Sequence, residues 1–367
     1  MPNLLAQGGF GCVYYPSIAK GKQRKTKPKE FVTKIQRNDE SAENEVRIGK
    51  LVRTFEKYQL FFLPVVRSWN LSIDKRNIGK FKGCDVVTGD TTKYTAMDVP
   101  FVAATDLVQE LRQNGPHRKV LILLESFKTL LLAVEVLHSL KVVHFDLKLG
   151  NILYLKTTHL PRILDFGISI VDPMALSFPD GEFDMTEKLR KLRKHFYAYT
   201  VEYSPWCLDI VVLSWIATNR EWSPASAAYI ADDYEAKSGL SPSRIQLIKS
   251  QLEKYGPLPL PSLVNYLLSQ WRSWDAFSIG KIYQEVFSNL MADDSSVFLR
   301  TWQKIIGRAI SPDAEKRIAA EDMIKQFDDL FLTWKDPLTY EKIVKEFSEH
   351  TLIASVSKRP GSPTIKT

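Results

Sequence analysis

This sequence has few cysteines and no long apolar run, and its first residues do not resemble a secretory signal. Its 367 residues include only 3 cysteines, Cys12, Cys84 and Cys207, at unrelated spacings. The most apolar stretch, Cys207–Ala217, contains Asp209 and is far shorter than the ~20 residues needed to cross a bilayer. These shortages argue against a membrane anchor and a cysteine-based metal site, and they predict a reducing, intracellular compartment.

The amino-terminal residues also lack a secretory pattern. Met1-Pro2-Asn3-Leu4-Leu5 has no basic region followed by an apolar core, so no secretory signal is expected. With 44% hydrophobic and 25% charged residues, the composition is that of a soluble globular protein. The length allows one large two-lobed domain or two ordinary ones, and no internal repeat divides the chain.

The net charge of +8 is concentrated in two basic runs. Lys20–Lys29 carries six basic residues and no acid, and Lys188–Lys194 carries five basic residues. Such a run can be a solvated loop, a docking surface for an acidic or phosphorylated partner, or a weak attractant for nucleic acid. Charge alone does not choose among these three interpretations.

The strongest chemical signal is the stretch His144-Phe145-Asp146-Leu147-Lys148-Leu149-Gly150-Asn151, followed by Asp165-Phe166-Gly167. It offers one carboxylate for a substrate hydroxyl, a second for magnesium and a carboxamide for another magnesium. Apolar residues on both sides predict short buried strands that make the loop rigid. At this point the sequence resembles the eukaryotic-type protein kinases.

The resemblance implies a role for each polar residue of this loop. Asp146 would be the general base or orient the attacking hydroxyl, and Lys148 would neutralise charge on the transferring phosphoryl group. Asn151 and Asp165 would bind Mg²⁺. Lysine at position 148 resembles the serine/threonine-specific kinases, whereas His144 is better explained as a structural core histidine.

A glycine-rich turn near the amino terminus predicts a phosphate cradle. Ala6-Gln7-Gly8-Gly9-Phe10-Gly11-Cys12-Val13 lies between two predicted strands, although the family pattern begins with glycine where this chain has Ala6. Lys34 follows where the family lysine pairs with the ATP phosphates. Of the two carboxylates that could hold Lys34, Glu43 and Glu45, only Glu45 shares the apolar face of the predicted helix, so we choose Glu45.

The segment Tyr94–Pro100 resembles the strand that leads into the kinase hinge. Met97 would guard the back of the adenine pocket, and Asp98 and Val99 would offer backbone groups to adenine. Asp106 could accept from a ribose hydroxyl or cap a helix. The residues expected to bind ATP are Leu5, Ala6, Gln7, Gly8, Gly9, Phe10, Gly11, Val13, Lys34, Met97, Asp98, Val99 and Leu153.

Two positions depart from the family pattern. Phe145 stands where many relatives have the arginine that binds a phosphate on the activation segment. We therefore predict activity that does not require that phosphorylation. Ser204-Pro205-Trp206 stands where the family usually reads Ala-Pro-Glu, so Arg317 loses its usual glutamate. It must then bind another acceptor, Glu202 or Asp209, or stay unpaired at some cost in stability.

The predicted fold class is α+β, with a two-lobed protein kinase architecture. Residues 1–99 form the β-rich amino lobe, residues 100–335 form the helical carboxyl lobe, and residues 336–367 form a tail. Helical spacing is clear at Ser41–Phe55, Val120–Ser139 and Ala319–Leu332. The unusually long interval before Asp275 predicts an insertion at about 207–270, which would be a substrate platform, a partner surface or extra core packing.

The sequence therefore predicts an ATP- and Mg²⁺-dependent serine/threonine protein kinase with protein substrates. The sequences of three segments resemble those of the kinases of large nucleocytoplasmic DNA viruses: Gly8–Pro16, Phe31–Ile35 and Ser204–Asp209. This resemblance implies that the protein is located in the host cytoplasm and the virion. One alternative is a pseudokinase that serves as a binding module, but no polar catalytic residue is lost. Another is a small-molecule kinase, against which Lys148 and the motifs of Asp275 and Arg317 argue.

Overall fold

The computed structural model describes residues 2–9, 11–18, 28–74, 76–88, 93–287, 297–332 and 341. Phe10, most of the basic run at 20–29 and, apart from residue 341, the predicted tail lie outside these ranges. The chain divides into two compact units. Unit 1 comprises the described residues up to Asp106 together with Asn151–Ser169, and unit 2 comprises Leu107–Gly150 and the described residues after Ser169. The division after Asp106 lies beyond the junction predicted at Val99.

The described residues form short strands, most of them early in the chain, and helices that dominate after residue 106. The strands are β1 (Asn3–Gly8), β2 (Gly11–Tyr15), β3 (Phe31–Arg37), β4 (Arg67–Ser72), β5 (Lys93–Pro100), β6 (Ala104–Thr105), β7 (Val142–Val143), β8 (Ile152–Leu155), β9 (Pro161–Ile163) and β10 (Ile170–Val171). The α-helices are α1 (Glu40–Val52), α2 (Leu107–Gln113), α3 (Pro116–Ser139), α4 (Met185–His195), α5 (Leu208–Asn219), α6 (Pro224–Lys237), α7 (Pro242–Tyr255), α8 (Leu260–Ser269), α9 (Trp274–Phe287), α10 (Val297–Ala309) and α11 (Ala320–Leu332).

Unit 1 is built on a five-stranded antiparallel sheet in the order β1-β2-β3-β5-β4, with a smaller sheet β6-β8-β9. Helix α1 begins after Asp39, whose carboxylate accepts from the Ala42 N–H at 2.9 Å and caps the helix. The helix ends at Val52, one turn before the predicted end at Phe55. Its buried face includes Glu45 and Ile48, so the predicted apolar face is confirmed.

The outer face of the five-stranded sheet carries an apolar cluster that the sequence analysis did not predict. Tyr14 and Ile35 on the sheet pack with Phe81 from the connection between β4 and β5. A disulfide between Cys12 and Cys84 joins the same two layers. The sequence analysis did not predict this pairing, since a separation of 72 residues gives no sign of it.

Unit 2 has a helical core assembled around large aromatic side chains. Phe127 of α3 contacts Tyr283, Trp302 and Phe327 at ring-centroid distances of 4.7, 5.2 and 4.9 Å. These rings come from α9, α10 and α11, and all of them are fully buried. Because large aromatic side chains bury much surface, this cluster dominates the packing of the four helices.

The predicted insertion forms helices α5 to α8, and its first helix is core. Nine residues of α5 are buried, including Asp209, which explains the apolar run noted in the sequence. The insertion continues through α7 and α8. Helix α4, which contains the basic run at 188–194, was not predicted. Within the described ranges, no helix has the length and apolarity needed to span a bilayer.

Candidate active site

Lys34 is the centre of an ion cluster in unit 1. Its Nζ lies 2.7 Å from the Glu45 carboxylate and 3.0 Å from the Asp165 carboxylate. Lys34 projects from β3, Glu45 from the buried face of α1, and Asp165 from the segment after β9. Glu43, the other candidate partner, is exposed. Two carboxylates therefore fix one ammonium group that is only 12% exposed.

The charges in this cluster alter one another's pKa values. Burial lowers the pKa of Lys34, but the attraction of Glu45 and Asp165 outweighs burial and raises it, so Lys34 remains a cation. Burial raises the pKa of Glu45 to about 7, and repulsion by Asp165 adds to that effect while Lys34 opposes it. Glu45 thus becomes protonated more easily than an ordinary glutamate.

Pairing across the sheet puts predicted nucleotide residues on one face. Lys34 of β3 lies opposite Val13 of β2 and opposite Met97 of β5. Residues directly opposite each other in an antiparallel pair point to the same side, so these three side chains share the face away from the Cys12 cluster. Val32 and Val99 form the next pair on this face, since the side-chain period of a strand is two.

The Asp98 side chain lies on the opposite face of the sheet, where it accepts hydrogen bonds from neighbouring strands. Its carboxylate accepts from Thr33 Oγ1 at 2.7 Å and from Arg67 at 2.6 Å on the outer face. Its backbone carbonyl accepts from the Val66 N–H at 2.8 Å. These bonds give the Asp98 carboxylate a structural role in unit 1, and the backbone contact of Asp98 with adenine stays a prediction.

Among the glycines of the glycine-rich turn, only Gly11 lies where a side chain would not fit. A Cβ on Gly11 would lie 2.6 Å from the Ile35 carbonyl oxygen, so only glycine lets β2 approach β3 this closely. Gly8 and Gly9 have open space around them, which leaves their backbone accessible. Gln7 is bound through its side chain to Asp85, beside the disulfide. Leu5 and Ala6 are exposed on β1.

The predicted magnesium ligands both occur at the β8–β9 hairpin. Asn151 directly precedes β8, its carbonyl accepts from the Leu164 N–H at 3.1 Å, and Asp165 follows Leu164. Asp165 has φ of 66°, a strained conformation for a residue with a side chain and one that is common at functional sites. Leu153, a predicted nucleotide contact, lies opposite Arg162 in the same hairpin.

The donor types of this pair fit Mg²⁺. Carboxylate and amide oxygens suit that cation, which usually takes one or two carboxylates together with waters and phosphate oxygens. No group of three or more His, Cys, Asp or Glu side chains is placed to hold a metal in the part of the chain that the structure describes. A site of this kind would therefore depend on phosphate oxygens as well as on Asn151 and Asp165.

Asn44 contributes to this region in a way that the sequence did not reveal. Its side-chain amide donates to the carbonyl oxygens of Gly167 at 3.0 Å and Ser169 at 2.8 Å. It lies directly before Glu45 on α1, so one helix positions both Lys34 and the segment after Asp165. An asparagine in a polar helix sequence carries no signal of such a contact.

In unit 2, the loop around Asp146 is held by a buried aspartate. The Asp275 carboxylate accepts from the backbone N–H groups of His144 at 2.7 Å and Phe145 at 3.0 Å. Burial raises the pKa of Asp275, and His144 with the two N–H groups opposes this. Lys148 Nζ lies 3.1 Å from Asp146 Oδ1, so the two predicted catalytic side chains form an ion pair.

Phe145 lies in an aromatic cluster where relatives have arginine. Its ring contacts Phe196, Trp206 and Trp274 at centroid distances of 5.5, 5.2 and 6.3 Å. The Trp206 indole N–H also donates to the Phe145 carbonyl oxygen at 2.9 Å. Phe145 has φ of 72°, which is rare for a bulky residue, so these contacts must overcome a strained backbone.

Arg317 binds Asp209, one of the two acceptors considered from the sequence. Both side chains are fully buried, and the Arg317 Nε also donates to Ser273 Oγ at 2.8 Å. Attraction by Asp209 outweighs the effect of burial and raises the pKa of Arg317. The insertion thereby supplies the carboxylate that the Ser204-Pro205-Trp206 segment lacks.

A shallow open pocket lies beside this segment in unit 2. It is lined by Glu202 and Tyr203 from the segment and by Tyr234 and Arg244 from helices α6 and α7. Leu240, between those helices, adds an apolar side chain. The insertion therefore contributes to a concave surface as well as to the core.

Comparison with known families agrees with this geometry. Residues 3–173 match the family model described as protein kinase domain. The chain thus has the α+β protein kinase fold, with a β-sheet amino-terminal region and a helical carboxyl-terminal region. The match supports protein kinase activity and protein substrates, and it ends before Tyr203 and Trp206. No curated protein matches the chain.

Proposed function

We propose that this protein is a serine/threonine protein kinase that transfers the γ-phosphate of ATP to a protein hydroxyl. The observation that carries the proposal is the placement of Lys34 between the Glu45 and Asp165 carboxylates. An ammonium group fixed by two carboxylates is positioned for phosphate oxygens without having to be ordered first. The Asp146–Lys148 ion pair supports the same activity.

Each residue has a distinct part in the proposed reaction. Lys34 and the backbone of Gly8 and Gly9 bind phosphate oxygens, while Asp146 orients the acceptor hydroxyl and takes up its proton. Asn151 and Asp165 would hold Mg²⁺, which would neutralise phosphate charge. Lys148 favours serine or threonine as the acceptor, because a lysine at this position resembles the serine/threonine-specific kinases.

We also propose that the insertion helps to select the protein substrate. The pocket lined by Tyr203, Leu240 and Arg244 lies along the chain segment that contacts Asp146, and it combines apolar walls with a cation. Leu240→Asp would raise the KM for the protein acceptor and leave the KM for ATP unchanged. An equal change in both constants would show that the pocket has no part in acceptor binding.

The basic helix α4 is a proposed docking surface for an acidic or phosphorylated segment. Arg190, Lys191, Arg193 and Lys194 are exposed, whereas Leu189 is buried against the protein. Glu187 pairs with Arg190 and Lys191 and lowers the local charge only in part. Transfer to acidic and basic acceptor proteins should therefore respond differently to added salt.

The test of the main proposal is transfer of labelled γ-phosphate with Mg²⁺ to histone, casein and a basic protein, followed by phosphoamino-acid analysis. Label on serine or threonine that disappears in Asp146→Asn would support the proposal. Label on tyrosine would overturn the acceptor specificity. ATP binding without any transfer to these acceptors would instead favour a pseudokinase.

A further inference from the structure

The Tyr203 hydroxyl makes contacts that none of the roles assigned above explains. It donates a short hydrogen bond to Asp146 Oδ1. It accepts a longer one, of 3.2 Å, from Lys148 Nζ. Lys148 Nζ itself lies 3.1 Å from the same Asp146 oxygen. Three polar groups therefore form a closed ring around the proposed general base.

The aromatic ring of Tyr203 is also fixed. It contacts the Trp206 ring edge to face at a centroid distance of 5.1 Å. Trp206 in turn donates to the Phe145 carbonyl oxygen, one residue before Asp146. Lys148 Nζ lies 5.5 Å from the centre of the Tyr203 ring, a distance at which a cation is attracted to the ring face.

The Lys148 side chain would be free to change conformation if this ring of contacts were broken. Its side chain is 32% exposed, and a lysine ammonium is a flexible, strongly hydrated group. Without the Tyr203 hydroxyl, the ammonium position would depend on the ion pair with Asp146. A second, neutral acceptor fixes its direction without adding charge beside the base.

We propose that Tyr203 is a positioning residue for phosphoryl transfer, acting through Asp146 and Lys148. The hydroxyl keeps the carboxylate and the ammonium in one arrangement, and the ring connects that arrangement to Trp206. This inference rests on the proposed kinase function, and it adds a residue that lies outside the matched residues 3–173. It also gives the activation segment a direct link to the catalytic loop without a phosphate.

The test compares Tyr203→Phe with Tyr199→Phe. Phenylalanine keeps the ring on Trp206 and removes only the hydroxyl. Tyr199 is a matched control because its hydroxyl bonds to Asp233 at 3.0 Å, away from Asp146. We expect Tyr203→Phe to lower kcat by about 10- to 100-fold, as loss of a hydrogen bond to charged groups would. The KM for ATP and the melting temperature should match those of the control.

Other results would overturn the inference. A kcat within about twofold of the control would show that the hydroxyl has no role in the chemical step. A lower acceptor KM with unchanged or higher kcat would show that the hydroxyl instead occupies the place of the substrate. Transfer by the unmodified protein in the same assay tests the kinase proposal separately, so the two failures are distinguishable.

A double-mutant cycle removes any ambiguity from altered folding. If Tyr203 acts through Lys148, the effect of Tyr203→Phe on kcat should shrink in a Lys148→Ala background. Independent, multiplicative effects would mean that the hydroxyl does not act through Lys148. Thermal shift on ATP addition, which does not depend on transfer, should be the same in all four proteins.

Discussion

The two units hold their functional side chains by different physical means. In unit 1, Lys34 is fixed by ion pairs with Glu45 and Asp165. In unit 2, the loop around Asp146 is fixed by backbone hydrogen bonds to Asp275 and by the aromatic contacts of Phe145. Charges at set spacings can be recognised in a sequence, whereas an aromatic cluster is defined by packing. Both Lys34 and the loop around Asp146 lie within the residues that match the protein kinase family model, whereas the Phe145 contacts Phe196, Trp206 and Trp274 lie beyond it.

Removing the charge at the centre of unit 1 should have the largest effect on activity. Lys34→Met keeps the length and apolar stem of the side chain but leaves Glu45 and Asp165 without their cation. We expect phosphoryl transfer to fall by about 100- to 10,000-fold, measured with labelled ATP. Lys50→Met, an exposed change on α1, is the control. Near-normal transfer in Lys34→Met would remove Lys34 from the mechanism.

Breaking the buried ion pair in unit 2 should have the largest effect on stability. Asp209→Ala leaves Arg317 charged and buried, which costs about 3–5 kcal/mol of unfolding free energy. Asp328→Ala breaks the exposed pair with Lys128 and should cost less than about 1 kcal/mol. Chemical denaturation of both variants measures the difference. Equal destabilisation would mean that Asp209 does not neutralise Arg317.

The disulfide offers a covalent test of unit 1. Cys84→Ser should lower the unfolding free energy by about 2–5 kcal/mol, since the bond closes a long loop in the unfolded chain. Thiol titration of denatured, unreduced protein should detect only Cys207, the buried cysteine that is free in the structure. Detection of all three thiols would instead agree with the reducing compartment predicted from the sequence.

Acidification should weaken the ion cluster selectively. Glu45 takes up a proton as the pH falls through about 7, because burial and Asp165 raise its pKa to that value. Neutral Glu45 no longer attracts Lys34, so the KM for ATP should rise several-fold between about pH 8 and about pH 6. Glu45→Gln should show a high KM at both values. A rise of the same size in that variant would assign the titration to another group.

Phosphatase treatment should have the smallest effect. Phe145 packs among aromatic rings and offers no cation to a phosphate on the activation segment. Activity should therefore remain unchanged after dephosphorylation, with intact-mass measurement confirming that phosphate has been removed. Loss of activity that returns on treatment with a phosphorylating partner would contradict this role of Phe145.

Sequence reasoning reached the parts of the site that depend on one residue type at one spacing. Lys34, Asp146 and Asp165 could be placed because few other residues can supply their charges. The helical face distinguished Glu45 from Glu43, since the 3.6-residue period fixes direction along a helix. These are local patterns, and they are also what the family match detects.

What the sequence could not give are contacts between residues far apart along the chain. Cys12 and Cys84 pair across 72 residues, and Asn44 reaches the carbonyl of Ser169. The sequence also gave no sign that the Asp98 carboxylate accepts hydrogen bonds from Thr33 and Arg67. No spacing rule encodes such partners, because they depend on how strands and helices pack.

The ion pair between Asp209 and Arg317 has a practical consequence for anyone who works with this protein. Deleting the extra helices to obtain a smaller, family-like domain would remove the carboxylate that binds the Arg317 guanidinium. It would also expose the surface that α5 covers. We expect such a shortened chain to misfold or aggregate when expressed, so inhibitor screening and crystallisation should start from a version that keeps residues 207–270.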